Sequence, residues 1–88
     1  MSQVIVNPEE LRGFASALDN FTVEIDGAFG KLNSSFNAVD SWRDSQRDSY
    51  EEFHNDLKAY IARFNDNAGE KADYLRKKAA EADIYLGI

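Results

Sequence analysis

The sequence has no cysteine and only one proline, one tryptophan and one histidine among its 88 residues. Without cysteine the chain forms no disulfide, and a single histidine is too few for the Cys/His clusters that bind structural zinc. We therefore predict neither a metal nor any other cofactor. Chains this short bury a modest fraction of their surface and usually need additional stabilisation. Association with a second chain is the form of stabilisation that this composition leaves open.

Positive charge is also scarce, since ten lysine and arginine residues stand against sixteen acidic ones, for a formal net charge of −6. Nucleic acids and anionic membranes are bound through basic patches, so we exclude both as partners. The chain lacks any stretch of about 18 apolar residues that would insert into a bilayer. Residues 1–6 lack the basic region and long apolar run of a cleaved signal peptide. If the chain is exported, we expect it to leave the cell without such a signal.

The first half of the sequence has the features of one long helix. Asn7 is a good N-cap, Pro8 suits the first helical position, and Glu10 can complete a capping box. Apolar residues then recur at steps of three and four: Leu11, Phe14, Leu18, Phe21, Ile25, Phe29, Leu32, Phe36 and Val39. This spacing predicts an amphipathic helix over about residues 8–39. A break near Gly30 is the alternative, but the apolar spacing continues through the glycines and favours a single helix.

The pattern stops over residues 40–45, which contain Trp42 and are predicted to form a turn, with Asp44 or Ser45 capping the next helix. Helical spacing then returns at Tyr50, Phe53, Leu57, Tyr60, Phe64, Ala68, Ala72, Leu75, Ala79, Ala82 and Leu86. We predict a second helix over about residues 46–86, with a turn at residues 65–69 as the alternative. Two helices of similar length with a short link form an antiparallel hairpin, so the predicted fold is all-α and a single domain.

Aromatic residues are too numerous for two helices to cover. The chain has six phenylalanines, four tyrosines and one tryptophan. We therefore expect a second hairpin to pack against the first and form a four-helix bundle. The candidate residues for this dimer or partner interface are Phe14, Phe21, Phe29, Phe36, Tyr50, Phe53, Tyr60 and Phe64. The pattern leaves open whether the partner is a copy of the chain or a different one.

These features resemble the WXG family of small helical-hairpin proteins exported by type VII secretion systems. The resemblance rests on the chain length, on Val-Asn-Pro-Glu-Glu-Leu at residues 6–11, on the apolar spacing, and on Trp42 between the helices. Tyr50 and Phe53 also fall where the family places apolar residues. The resemblance implies a non-enzymatic homodimer or a heterodimer with a related hairpin, exported folded. It also implies a secretion ATPase or a larger secreted toxin as a further partner.

Two departures from the family pattern stand out. Asp44 occupies the glycine position of the motif, which here reads Trp42-Arg43-Asp44; aspartate tolerates a left-handed backbone better than most residues and also caps helices. The C-terminal Tyr-x-x-x-Asp/Glu motif has no match, because Tyr74 is followed by Lys78 at that offset. The export signal is then supplied by a partner chain, replaced by a variant segment at Tyr85 and Leu86, or lost with a missing tail.

Trp42 and His54 are two further residues for which the sequence gives a prediction. Trp42 either closes the end of the bundle or is presented for recognition, and the two roles are compatible. His54 lacks the nucleophile and orienting group of a catalytic histidine, so we expect it on the solvent-exposed surface.

The alternative function is a small acidic immunity or antitoxin protein that binds a basic toxin through charge complementarity. That alternative favours helix breaks at Gly30 and Gly69 and a compact monomer.

Overall fold

The computed structural model describes residues 6–87 and consists of two long helices. Helix α1 spans Pro8–Asn37 and helix α2 spans Ser45–Leu86, with residues 38–44 as the linker. Arg12 near the start of α1 contacts Asp83 near the end of α2, and Phe36 near the end of α1 contacts Tyr50 near the start of α2. The helices are therefore antiparallel, and the hairpin measures 64 × 23 × 14 Å. The predicted all-α hairpin is confirmed.

Both helices start and end at residues whose chemistry explains the boundary. The Asn7 Oδ1 atom accepts hydrogen bonds from the backbone N–H groups of Glu9 (2.9 Å) and Glu10 (3.3 Å). At the other end of the chain Gly87 adopts a left-handed φ of 72° and its N–H donates to the carbonyl of Ile84, a common glycine cap. Helix α1 ends two residues earlier than predicted, because the Val39 N–H donates to Phe36 in a tighter turn.

Neither helix breaks at the positions where the sequence is weak. Gly27 and Gly30 lie inside α1, and residues 65–69 lie inside α2. The alternative breaks at Gly30 and Gly69 are therefore wrong. Tertiary packing along an apolar stripe stabilises a helix more than the propensity of single residues does. The continuous apolar spacing therefore predicted the helix boundaries better than the positions of the glycines did.

Four of the buried side chains belong to the predicted apolar series, whereas Ala15 and His54 each lie one position after a predicted residue. The buried residues are Pro8, Ala15, Phe36, His54, Ala68, Ala72 and Ala79. Phe14 and Phe53, each one residue before a buried position, are 62% and 58% exposed. Alanines let helix axes approach closely, whereas a phenylalanine in the same position would hold them apart. The helices therefore face each other through small residues over much of their length and leave several large aromatics at the edge.

One edge of the hairpin is closed by polar contacts across the helices. Arg12 pairs with Asp83, Arg76 pairs with Asp19, and the Asn65 Nδ2 atom donates to Asp26 Oδ1 at 2.7 Å. The hydrogen bond to Asp83 raises the pKa of Arg12, and the charges of Asp83 and Glu9 act in the same direction. These groups are half-exposed, so each pair contributes little to stability. Their combined effect is to make this edge polar, and we call it the polar edge.

Candidate functional site

The edge opposite the ion pairs carries exposed aromatic and apolar side chains. On α1, Phe14 and Phe21 lie two residues beyond Arg12 and Asp19, which places them on the other side of a helix with 3.6 residues per turn. The rings of Phe21 and Phe64 meet edge to face, with centroids 5.9 Å apart, so the aromatic rows of both helices share this edge. We call this surface the open aromatic face. Its exposed members are Phe14, Phe21, Leu32, Phe53, Tyr60 and Tyr74.

The eight aromatics predicted at a partner interface fall into two groups. Phe14, Phe21, Phe53 and Tyr60 are exposed on the open aromatic face. The other four contact side chains within the hairpin, namely Phe29, Phe36, Tyr50 and Phe64. The structure therefore brings half of the predicted set to one continuous surface. The other half supports that surface from within the hairpin.

His54 is buried, at 3% exposure, and the prediction of a solvent-exposed histidine is wrong. Its ring lies 5.0 Å from Phe29 and 4.9 Å from Phe36, measured between centroids. The Nε2 atom is 3.0 Å from Asn33 Oδ1, and Nδ1 is 3.2 Å from the Tyr50 hydroxyl. A neutral imidazole satisfies both contacts if Nε2–H donates to Asn33 and Nδ1 accepts from Tyr50. Both polar atoms of this buried ring therefore have partners.

The sequence contained a signal for this burial. Steps of four and three from Tyr50 lead to His54, Leu57, Ile61 and Phe64, which is as regular as the series through Phe53 and Tyr60. The prediction follows the series with the larger apolar side chains, whereas in the structure Phe53 and Tyr60 are exposed and His54 is buried. A polar residue that can be fully hydrogen-bonded is compatible with a buried position. Asn33 is the hydrogen-bond partner of His54 on α1, and the apolar spacing of α1 did not predict this contact.

At the linker end of the hairpin, here called the tip, Trp42 is half-buried beside the start of α2. Its ring lies 6.1 Å from that of Tyr50. Asp44 caps α2, as predicted, with φ of −136° and ψ of −178°. This is extended backbone, so the left-handed conformation that a glycine would allow is not used at this position. Within residues 6–87, Gly87 alone has a positive φ.

A cleft of about 500 Å³ opens beside Trp42 at the tip. Arg43 and Arg47 contribute to its wall together with Asp40 and Asp48. The Arg43 Nε atom donates to the carbonyl of Asp40 at 3.1 Å, and Arg47 pairs with Glu51 while its guanidinium lies 4.7 Å from the Phe36 ring. The three predicted motif residues Trp42, Arg43 and Asp44 therefore line one cleft.

The predicted C-terminal export segment lies at the opposite end of the molecule from the tip. Tyr85 is 85% exposed, and Leu86 is the last residue of α2. Both precede the glycine cap, so the structure places them in the final helical turn. They form an exposed apolar end rather than part of the contact between the helices.

No cluster of three or more His, Asp or Glu side chains in residues 6–87 is arranged to hold a metal ion. Neither helix in the same range is long and apolar enough to cross a membrane. The distinctive features of this surface are thus an aromatic face and a tip, both suited to contact with other macromolecules.

Comparison with known protein families gives a match over most of the chain. A family model described as proteins of 100 residues with WXG matches residues 3–82. This region includes most of both helices and the whole linker. No curated protein and no solved structure matches the chain.

Proposed function

Because the chain belongs to the WXG100 family of small helical proteins secreted through type VII systems, we propose that it is a non-enzymatic substrate or co-exported partner of such a system. In this role it binds a second helical hairpin through the open aromatic face. The tip, with Trp42 at its surface, is presented to the export machinery. The partner hairpin is a second copy of the chain or a related protein, and a secretion ATPase or a larger secreted toxin binds the pair.

The observation that supports the pairing most strongly is the amount of exposed surface. The chain exposes 6885 Å². A compact monomer of 9.9 kDa is expected to expose about 5,200 Å², so the hairpin exposes about 1,700 Å² more. A stable interface of standard size buries about 800 Å² on each partner. The additional exposed area is therefore larger than the area that one partner would bury. The aromatic side chains are the part of this area whose burial is most favourable.

The two edges of the hairpin differ in a way that supports the open aromatic face as the proposed binding surface. The polar edge already has its charged groups paired across the helices, through Arg12 with Asp83 and Arg76 with Asp19. The open aromatic face has exposed rings instead, and burial of apolar surface is favourable at about 25 cal/mol per Å². Two hairpins joined through such faces form a four-helix bundle with a common apolar core. The polar edge of each hairpin then faces solvent.

The alternative function, an acidic immunity or antitoxin protein, receives no comparable support. It favours short helices and a compact monomer, whereas α1 and α2 run unbroken for 30 and 42 residues. The family match over residues 3–82 also favours the secretion role. A net charge of −6 remains as its one supporting feature, and many soluble proteins share such a charge.

The proposed function is tested by export and by mass. In a host with a type VII system, the tagged chain should appear in the culture medium, and deletion of the secretion ATPase should retain it inside the cell. Light scattering of the purified chain, alone and with any hairpin protein encoded beside it, should give twice the mass of a single hairpin. Export that is independent of the ATPase, or a stable monomer that captures a basic toxin, would contradict the proposal.

A further inference from the structure

Asp44 interacts with more than the helix that it caps. Its Oδ1 atom accepts hydrogen bonds from the backbone N–H groups of Gln46 (3.0 Å) and Arg47 (3.1 Å). The same oxygen accepts a third hydrogen bond from the indole Nε1–H of Trp42, also at 3.0 Å. Hydrogen bonds to a charged carboxylate are stronger than those between neutral groups. One carboxylate therefore connects the tryptophan of the tip to the first turn of α2.

The face of the indole is restrained separately from its N–H group. The rings of Trp42 and Tyr50 lie 6.1 Å apart and are tilted by 36°. Tyr50 is held in turn by its hydroxyl, which is 3.2 Å from Nδ1 of the buried His54. His54 contacts Asn33 on α1 at 3.0 Å. A series of contacts thus joins Trp42 in the linker to both helices.

These two restraints have a consequence for the orientation of Trp42. A tryptophan ring turns about two side-chain bonds, and a contact with one face alone leaves part of that motion unrestricted. A hydrogen bond to Nε1 fixes the direction of the ring edge as well. The backbone of Asp44 is extended, so this position does not use the backbone freedom of a glycine. The contact with Trp42 depends instead on the Asp44 side chain. A glycine there, as in the family motif, has no side chain to make this contact.

We propose that Asp44 is a positioning residue for Trp42: its carboxylate holds the indole in one orientation against Tyr50, so that the tip is preformed for recognition. The positioning itself stands on the geometry of the tip. Its importance for export rests on the proposed function, in which the export machinery binds the tip.

The test uses three substitutions of one residue in the full-length chain. Asp44→Ser keeps a helix cap, because a serine hydroxyl accepts from the same backbone N–H groups, but it is too short to hold the indole as well. Asp44→Asn keeps an oxygen in the same place without the charge and is the conservative rescue. Asp44→Gly restores the residue of the family motif. Circular dichroism should show similar helix content in all three, which separates positioning from folding.

Trp42 is the only tryptophan, so indole fluorescence and the single indole N–H resonance report on it alone. Asp44→Ser and Asp44→Gly should shift the emission to longer wavelength, increase acrylamide quenching and speed exchange of the indole N–H with water. Asp44→Asn should stay close to the wild type. If Asp44→Ser leaves all three signals unchanged while its helix content is retained, the carboxylate does not position Trp42 and the proposal is wrong.

A double-mutant comparison of export tests whether the orientation of Trp42 matters for function. Asp44→Ser should lower the secreted fraction by up to about fivefold, the ratio that corresponds to one ordinary hydrogen bond. In a Trp42→Phe background, which has no indole N–H, the same substitution should have no further effect. An equal loss in both backgrounds would overturn the proposed route through Trp42. If Trp42→Ala is exported normally while the spectroscopic changes occur as predicted, positioning stands and recognition of the tip by the export machinery is refuted.

Discussion

His54 and Asn33 meet across the two helices, with Nε2 of the imidazole 3.0 Å from Oδ1 of the amide. The contact is partly buried, and the His54 ring lies against Phe29 and Phe36 of α1. A polar pair at a single level of an otherwise apolar contact disfavours any shift of one helix along the other, because a shift would leave both groups without partners. The pair therefore specifies how α1 and α2 align.

We predict that removal of one member of this pair is costly. Asn33→Ala should lower the free energy of unfolding by about 1–3 kcal/mol, because the imidazole N–H is left buried without an acceptor. Asn20→Ala, at an exposed position of the same helix, is the matched control for helix propensity. Urea unfolding followed by circular dichroism measures both. An equal response of the two variants would show that the contact does not stabilise the hairpin.

Replacement of both polar partners should be milder than removal of one. Asn33→Leu combined with His54→Phe removes both polar groups of the pair and leaves the half-buried Tyr50 hydroxyl to hydrogen-bond with water, so the free energy of unfolding of this double variant should lie closer to that of the wild type than that of Asn33→Ala does. The prediction extends to alignment. Cross-linking between cysteines placed on α1 and α2 should show more than one helix alignment in the double variant and one in the wild type.

The open aromatic face should determine self-association or pairing. Phe14→Ser removes a ring that is 62% exposed on that face, whereas Val23→Ser removes an apolar side chain that is 68% exposed two residues beyond Phe21, off the face. We expect Phe14→Ser to weaken the dimer by about 2 kcal/mol, or about thirtyfold, as for a central aromatic in an interface. Val23→Ser should leave the dissociation constant unchanged. Sedimentation equilibrium over a range of concentrations distinguishes the two, and equal effects would place the interface elsewhere.

The glycines inside α1 should be replaceable without harm to the hairpin itself. No atom of the described structure outside the local helix lies within 4 Å of a Cβ built at Gly27 or Gly30. Alanine at each position should raise the stability of the hairpin by about 0.5–1 kcal/mol through helix propensity. Gly87→Ala is the contrasting variant, because its φ of 72° is strained for alanine, and it should be destabilising. Thermal unfolding of the chain measures all three.

The ion pair between Arg12 and Asp83 gives a prediction about pH. The hydrogen bond to Asp83 raises the pKa of Arg12 above its unfolded value. A group with a raised pKa contributes stability that is fully present below its unfolded pKa and is lost only as the pH rises through the folded pKa. For an arginine this lies in strongly alkaline solution. The stability difference between the wild type and Asp83→Asn should therefore be constant between about pH 7 and pH 10.

Added salt, unlike moderately alkaline pH, should weaken this ion pair. Both partners are partly exposed, so added salt should screen their attraction and reduce the difference between the wild type and Asp83→Asn. Urea unfolding at two salt concentrations measures it. A difference that grows with salt, or one that disappears by pH 9, would contradict an ion pair as its origin.

The sequence by itself determined the elements and their order. Asn7 and Asp44 identify the two helix starts, because their side chains cap backbone N–H groups that a helix leaves without partners. The regular apolar spacing through Gly27, Gly30 and residues 65–69 favoured continuous helices over the alternative breaks, since a break would move the later apolar residues to another face. A short linker between two such helices then required an antiparallel hairpin.

The tertiary structure alone decided which side of each helix faces the other. The apolar sector of each helix is wider than the contact with one neighbour, so spacing is compatible with two rotations that differ by about one residue. Packing selected the rotation that buries Ala15, Ala72 and Ala79, because small side chains allow the helix axes to approach closely. That rotation buried His54 against Asn33 and left Phe14 and Phe53 exposed. The bond between Asp44 and Trp42 likewise depends on the path of the linker, which no local pattern specifies.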